Sequence, residues 1–156
     1  MKFDSLVQLV EANKIADDTK RRADTATQLY TTAIQLDKRL SPEEEAKIMQ
    51  WGTTACLYAN NIIKGRWKEY EDNLINRLST KNNSGDTVIN YMGQVIKERW
   101  PEIEPILFTK HVSWLYFYAV ELKRRFVIGE SRILTTDRFY VKGYKEHLKN
   151  LGLMDP

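Results

Sequence analysis

Two stretches of the chain share one pattern and decide the predicted fold: residues 58–67 are YANNIIKGRW, and residues 91–100 are YMGQVIKERW. A third stretch, FYAVELKRRF at 117–126, follows the pattern more loosely. Each stretch opens with an aromatic residue, carries Lys and then Arg near its end, and closes with an aromatic residue nine positions after the first. Four positions further on there is always a glutamate, at Glu71, Glu104 and Glu130. Self-similarity of this kind is typical of helical repeat proteins.

The spacing of the closing aromatic residues predicts the length of the repeating unit. Trp100 follows Trp67 by 33 residues, and Phe126 follows Trp100 by 26 residues. The polar segment 79–86, STKNNSGD, has the composition of a loop and accounts for the seven additional residues as an insertion. The unit is therefore about 26 residues long.

Two weaker copies are predicted at the flanks, since terminal repeats face water on one side and diverge. Arg39-Leu40 with Glu44 precedes the three copies, and Lys145-Glu146-His147-Leu148 follows them. The predicted fold is all-α: a short stack of degenerate helix-turn-helix repeats preceded by a long N-terminal helix. We predict one helical domain over residues 1–156, with an N-terminal helical segment at 1–40 and a repeat region at 41–150. Whether 1–40 packs on the domain or projects from it stays open.

The unit has a structural explanation that requires no ligand. Lys and Arg at the end of one helix, and Glu in the first turn of the next, both suit the helix dipole. The closing aromatic residue falls between the two helices, where a large side chain can hold them together. We call this junction between the two helices a corner.

Several helix ends are predicted from capping signals. Ser41, Pro42 and Glu44 form a capping box with proline at the first helical position. An apolar stripe from Ile48 to Ile63 predicts one helix that ends at or near Gly65. Ser113 and Asp137 have the residue types of N-caps.

The pattern resembles a repeat of uncharacterised bacteriophage proteins, whose consensus is roughly Tyr-Ala-x-x-Val-Ile-Lys-Gly-Arg-Trp-Pro-Glu-x-Glu. Residues 58–67 match its first half, and residues 95–104, VIKERWPEIE, match its second half. The third copy departs from it, because Leu122 to Phe126 is LKRRF and no Pro-Glu follows. The resemblance covers about residues 54 to 135. It implies a viral source and a helical repeat, and it implies no activity.

Composition excludes several classes of protein. The chain has 156 residues and a net charge of +3, and its single cysteine, Cys56, permits no internal disulfide. The most apolar run, Val112 to Val120, is much shorter than a membrane span. We therefore expect no membrane association and a cytoplasmic location, either in the host cell or within a virion.

The aromatic run at 114–118 is the strongest indication of a partner surface. Trp114, Tyr116, Phe117 and Tyr118 cannot all face one core from one helix. Some of them must face a second helix, a partner or water, and aromatic residues are enriched at interface hot spots. We expect a protein partner or self-association through this segment.

Basic residues beside aromatic ones suggest a second interpretation. The corners carry three lysines and three arginines, namely Lys64, Arg66, Lys97, Arg99, Lys123 and Arg125. These could form a basic stripe for single-stranded nucleic acid, with Trp67 and Trp100 as stacking platforms. The neighbouring glutamates cancel much of that field, and a structural role for the cations is the favoured interpretation.

No set of residues predicts catalysis, a cofactor or a metal. Glutamates two positions apart, such as Glu102 and Glu104, do not face each other on a helix. His111 and His147 lack clustered partners at ligand spacing. Cys56 lies within an apolar stripe without a nearby base. The predicted function is thus a non-enzymatic, phage-like protein-interaction module, as a virion component or a host-factor-binding protein, with nucleic-acid binding through the corners as the alternative.

Overall fold

The computed structural model describes residues 3–80 and 84–153, with side chains from residue 8 onward. Every regular element in these ranges is helical, which confirms the predicted all-α class. The α-helices are α1 (Phe3–Leu36), α2 (Pro42–Ile48), α3 (Gly52–Tyr58), α4 (Lys68–Thr80), α5 (Gly85–Tyr91), α6 (Glu104–Thr109), α7 (Val112–Leu122), α8 (Val127–Leu134) and α9 (Arg138–Asn150). Two short π-helical turns, Ala59–Ile63 and Met92–Ile96, continue α3 and α5.

The chain divides into two compact units, Met1–Lys64 and Gly65–Pro156. The division falls inside the region 41–150 that the sequence predicts as continuous. In the first unit α1 packs on α2 and α3, and the predicted long N-terminal helix is confirmed. Ala26 and Ala33 of α1 are completely buried, whereas Leu9 and Ile15 are more than half exposed. The C-terminal half of α1 therefore carries its packing.

Helix α7 is the centre of the second unit, where it contacts α5, α6, α8 and α9. A helix that is surrounded in this way must be apolar on most of its faces. Its sequence, VSWLYFYAVEL, meets that requirement and explains much of the dense aromatic run.

Some predicted helix ends are confirmed and others are wrong. Ser41 caps α2 with both halves of the capping box, and Asp137 caps α9. Ser113 is not an N-cap, because α7 begins after His111, whose side chain accepts a hydrogen bond from the Ser113 backbone N–H. The predicted helix from Ile48 to Ile63 is interrupted at residues 49–51, between α2 and α3.

The predicted loop at 79–86 is shorter than its composition indicates. Ser79 and Thr80 still belong to α4, and their hydroxyl groups donate to backbone carbonyls four residues earlier, both at 2.8 Å. Ser84 precedes α5, and residues 81–83 lie outside the described residues. Among the described residues, none of the helices is long and apolar enough to cross a membrane.

Candidate interaction surfaces

Each corner is built around a buried glutamate. In the copy at Arg66, the guanidinium group donates from Nε to Oε1 of Glu71 at 2.9 Å and from Nη2 to Oε2 at 2.7 Å. The Tyr91 hydroxyl accepts from the Trp67 backbone N–H at 2.8 Å and donates to Glu71 at 3.2 Å. Glu71 is 2 % exposed, and a carboxylate this deep requires charge-assisted partners. We call this arrangement of Arg, Glu and Tyr a corner network.

The corner network occurs four times within residues 3–80 and 84–153. A bidentate or near-bidentate ion pair holds each glutamate: Arg39–Glu45, Arg66–Glu71, Arg99–Glu104 and Arg125–Glu130. A tyrosine accepts the backbone N–H that follows each arginine and bonds to the same glutamate: Tyr58, Tyr91, Tyr118 and Tyr144. The glutamate and the arginine thus do more than suit the helix dipole, which was our interpretation from sequence.

Burial and hydrogen bonding act together on the pKa values of the network residues. Burial raises the pKa of all four tyrosines, and that of Tyr58 reaches about 12. Burial would also raise the pKa of Glu104, but hydrogen bonds from Arg99 and Tyr118 outweigh it and leave the pKa below its ordinary value. The hydrogen bond to glutamate raises the pKa of Arg66, Arg99 and Arg125. At neutral pH the four network tyrosines are therefore neutral.

The corner networks use the arginines that the sequence assigned to nucleic acid. Arg66, Arg99 and Arg125 each use Nε and Nη2 on their own glutamate, although 40–45 % of each side chain is exposed. Lys64 lies 3.6 Å from Asp37. Lys97 and Lys123 follow their helices with left-handed backbone, at φ 59° and 52°. The three arginines are thus held separately by their own glutamates.

The third copy has a different register from the one predicted. Its network tyrosine is Tyr118, which is completely buried, and not Phe117, which is 44 % exposed. Tyr91 and Lys97 are six positions apart, but Tyr118 and Lys123 are five apart. The π-helical turn Met92–Ile96 takes up the additional residue, and the Lys97 N–H donates to the Met92 carbonyl five residues earlier at 2.6 Å. Helix α7 lacks the residue and stays α-helical to Leu122.

The two flanking copies also differ from their prediction. In the first, the paired carboxylate is Glu45, whereas Glu44 belongs to the capping box. The last network takes its tyrosine from α9 at Tyr144, so that Lys145 to Leu148 is not the counterpart of Lys97 to Trp100. In the first flanking copy Leu40 takes the place of the closing aromatic residue. In the last copy the network residues lie at other positions than the matched ones. Alignment by residue type therefore misplaced both copies.

Helix α7 uses three of the four aromatic residues that the sequence assigned to a partner. A Cβ on Gly85 would overlap the Trp114 ring, which therefore packs directly on the α5 backbone. Tyr116 packs in the same way on Gly143 of α9. Tyr118 lies in the corner network, which removes it from any partner surface. Phe117 is the member of the four that is left largely exposed.

Phe117 continues into a row of aromatic rings on the surface of the second unit, which we call the aromatic strip: Phe117, Tyr116, Tyr140 and Phe139. Successive ring centroids are 5.2, 5.7 and 5.2 Å apart. Phe139 is 68 % exposed, and the two tyrosines are half-buried. The sequence prediction missed Phe139 and Tyr140, because the contact that joins them to α7 is made across 24 residues.

The remaining candidates are the glutamates, histidines and cysteine that the sequence analysis considered for catalysis or metal binding. Glu71 and Glu104 point into corner networks, while Glu102 is exposed. His111 caps α7, and Nε2 of His147 lies 3.2 Å from the backbone carbonyl oxygen of Arg124. Burial raises the pKa of the Cys56 thiol to about 11, opposite to the change that a nucleophile needs. Among the described residues, no cluster of three potential ligands is placed to hold a metal ion.

Comparison of the chain with protein-family models, with curated proteins and with solved structures gave no match.

Proposed function

We propose that this chain is a non-enzymatic protein-interaction module and that the aromatic strip is its contact surface. The observation that carries the proposal is the exposure of two phenylalanines, Phe117 and Phe139, at the ends of a row of touching rings. Isolated exposed apolar residues are ordinary, but contiguous aromatic surface marks interaction sites. Aromatic residues also dominate the energetics of protein interfaces.

The strip is organised before any partner arrives. Tyr116 of α7 and Tyr140 of α9 are ordered by the packing of these two helices, since Tyr116 packs on Gly143 and its ring contacts Tyr140. The rings of Phe139 and Tyr140 meet edge to face at 84°. A surface whose side chains are already ordered loses less conformational entropy on binding. Rigid aromatic side chains on a helical scaffold therefore suit a protein contact.

The resemblance to bacteriophage repeat proteins stays a prediction, and it adds a virion component or a host factor to the candidate partners. The corner lysines and arginines, our alternative nucleic-acid site, receive less support. Their arginines are held by buried glutamates, and a phosphate would have to compete with those bidentate pairs.

The test compares Phe139→Ser and Phe117→Ser with a matched control, Val127→Ser. Val127 is exposed to the same degree as Phe139, at 69 %, but lies on α8 outside the strip. Sedimentation velocity over a range of protein concentrations measures self-association, and affinity capture from an extract of the native cells measures other partners. We expect an association that Val127→Ser retains and that both strip variants lose.

Two results would overturn the proposal. One is a partner that all three variants retain equally. The other is a wild-type chain that stays monomeric at every concentration and captures nothing that the strip variants fail to capture. Circular dichroism of each variant checks that the helices are intact, so that loss of binding is not loss of folding.

A further inference from the structure

Helix α9 carries a row of four cations that the proposed function does not use. Arg138, Lys142, Lys145 and Lys149 are spaced by four, three and four residues. At 100° per residue they lie within an arc of about 60° on one face of the helix. Tyr144 and Leu148, which are completely buried, lie to one side of this arc, about 130° and about 90° from its middle. We call these four residues the α9 row.

The α9 row borders an open groove of about 500 Å³. Val141 and Leu153 form its apolar part, and Glu146 is the acidic residue that lines it. Arg138, Lys142 and Lys149 form no ion pair with any residue that the structure describes. They differ in this from the corner arginines, each of which has a glutamate five or six residues further along.

The net charge of the chain is concentrated around this helix. Residues 1–64 hold nine basic and nine acidic side chains, so that the whole excess of +3 lies in residues 65–156. Residues 123–149 alone hold eight Lys and Arg against three acidic residues. Glu130 and Arg125 neutralise each other, and Asp137 accepts from the Phe139 backbone N–H at the start of α9, which leaves seven basic residues beside Asp137 and Glu146. A modest average charge thus conceals a strongly positive surface.

A role in folding does not explain the whole row. Arg138 is at the first position of α9, the end of the helix dipole that disfavours cations. Neighbouring like charges at three or four residues destabilise a helix by about 0.2–0.5 kcal/mol per pair. The row includes three such pairs. Glu146, four residues after Lys142 and three before Lys149, offsets them only in part, and Lys149 is the member of the row in the last turn, where a cation suits the dipole. An anionic ligand would remove this repulsion.

We propose that the α9 row binds the phosphate backbone of a nucleic acid. The row spans about 16 Å of helix, a length over which one strand of a DNA duplex presents about five phosphates. A line of basic side chains along one helix is the electrostatic signature of phosphate contact without base reading. Single strands and duplexes share this chemistry, and the experiment separates them.

The experiment measures binding of the full chain to a fluorescent oligonucleotide by anisotropy, as a single strand and as a duplex, over a series of salt concentrations. Three phosphate contacts, one each for Arg138, Lys142 and Lys149, give a slope of log affinity against log salt of roughly −2.1 for a single strand and roughly −2.7 for a duplex. We expect Lys142→Glu with Lys149→Glu to weaken binding at low salt at least about tenfold and to reduce the slope by roughly 1.5–2. Lys142→Gln with Lys149→Gln is the milder form if the charge reversal disturbs folding.

The matched control is Lys97→Glu with Lys123→Glu, which makes the same change of charge at two exposed corner lysines. We expect it to keep most of the affinity and of the slope. Three outcomes overturn the proposal: no binding at low salt, equal loss in the α9 and control variants, or binding to vesicles of anionic lipid that depends on the α9 row without any binding to oligonucleotide.

Discussion

The corner arginines and the α9 row use the same kind of side chain in opposite ways. Each corner arginine meets a buried glutamate through two hydrogen bonds, and a tyrosine hydroxyl completes the network. In the α9 row, Arg138, Lys142 and Lys149 lack an ion pair in the described part of the chain. The contrast separates arginines whose glutamate lies five or six positions further on, which hold the corners together, from three cations of α9 that pair with no acid in the described part of the chain.

Raising the pH should break the corner networks together, which is the largest effect we expect. The folded chain holds the four tyrosines neutral and raises their pKa above the ordinary value of 10.0. Stability from this source is complete below pH 10 and is lost as the pH rises through the folded pKa, because the unfolded chain then releases protons first. Urea unfolding, followed by tryptophan fluorescence at a series of alkaline pH values, measures the loss.

The control for the alkaline experiment is Tyr91→Phe with Tyr118→Phe, which removes two of the titrating hydroxyl groups. We expect the double variant to be less stable at neutral pH but to lose stability less steeply above pH 10. A free energy of unfolding that stays constant from about pH 9 to about pH 11 would contradict the prediction.

Removing one corner cation should be the most damaging single substitution among these residues. Arg99→Ala leaves Glu104, which is 4 % exposed, without its charge partner. The penalty for an unpaired buried charge is about 3–5 kcal/mol, and the 45 % exposure of the Arg99 side chain reduces our expectation to about 2–3 kcal/mol. Urea unfolding of Arg99→Ala beside Lys142→Ala measures the difference between the two classes of cation. Equal effects of the two substitutions would remove the distinction.

A smaller loss is expected when only the tyrosine hydroxyl is removed. In Tyr118→Phe the Trp100 backbone N–H loses its acceptor at 2.8 Å, and Glu104 loses a donor at 2.9 Å. An unsatisfied buried donor costs about 1–3 kcal/mol. Phe117→Leu is the neighbouring control, because its exposed side chain belongs to no network, and its stability should change by less than about 0.5 kcal/mol. The same loss in both variants would show that the network hydroxyl is unimportant.

The smallest effect should have the opposite sign. Lys142→Gln relieves repulsion from Arg138 and Lys145 but loses the attraction to Glu146 four residues later, and we expect a net gain of about 0.2–0.5 kcal/mol that shrinks as salt is added. Thermal unfolding at low and high salt measures it. A loss of stability at low salt would indicate that Lys142 has a structural partner, and would move it into the class of the corner arginines.

The sequence predicted the helical class and the burial of Trp67, Trp100 and Phe126, because large aromatic residues at a fixed spacing require a core. It did not predict the ion pairs. Arg66 and Glu71 have separate explanations in terms of helix ends, and only the fold shows that the two side chains meet. The aromatic strip was out of reach for a similar reason, since Tyr116 and Tyr140 are joined by the packing of α7 on α9.

The register error in the third copy came from matching residues at constant offsets. Phe117 and Tyr118 are both aromatic and adjacent, so a nine-residue spacing to Phe126 selected the wrong one. The α9 row, in contrast, is visible in the sequence at positions 138, 142, 145 and 149. The sequence prediction did not include it, because the cations assigned to nucleic acid were those of the three corner motifs, and all of these precede α9.

The π-helical turns allow a repeat of this chain to gain or lose one residue without losing its corner. The segment between the network tyrosine and its terminating lysine is six residues long with a π-helical turn and five residues long without one, yet the tyrosine reaches the corner in both. A one-residue insertion or deletion would normally rotate every later side chain of a helix by 100°. Here the turn confines that rotation to a few residues. Homologous recombination between copies of unequal length, or a deliberate transplant of 118–126 in place of 91–100, can therefore preserve the buried glutamate with its partners.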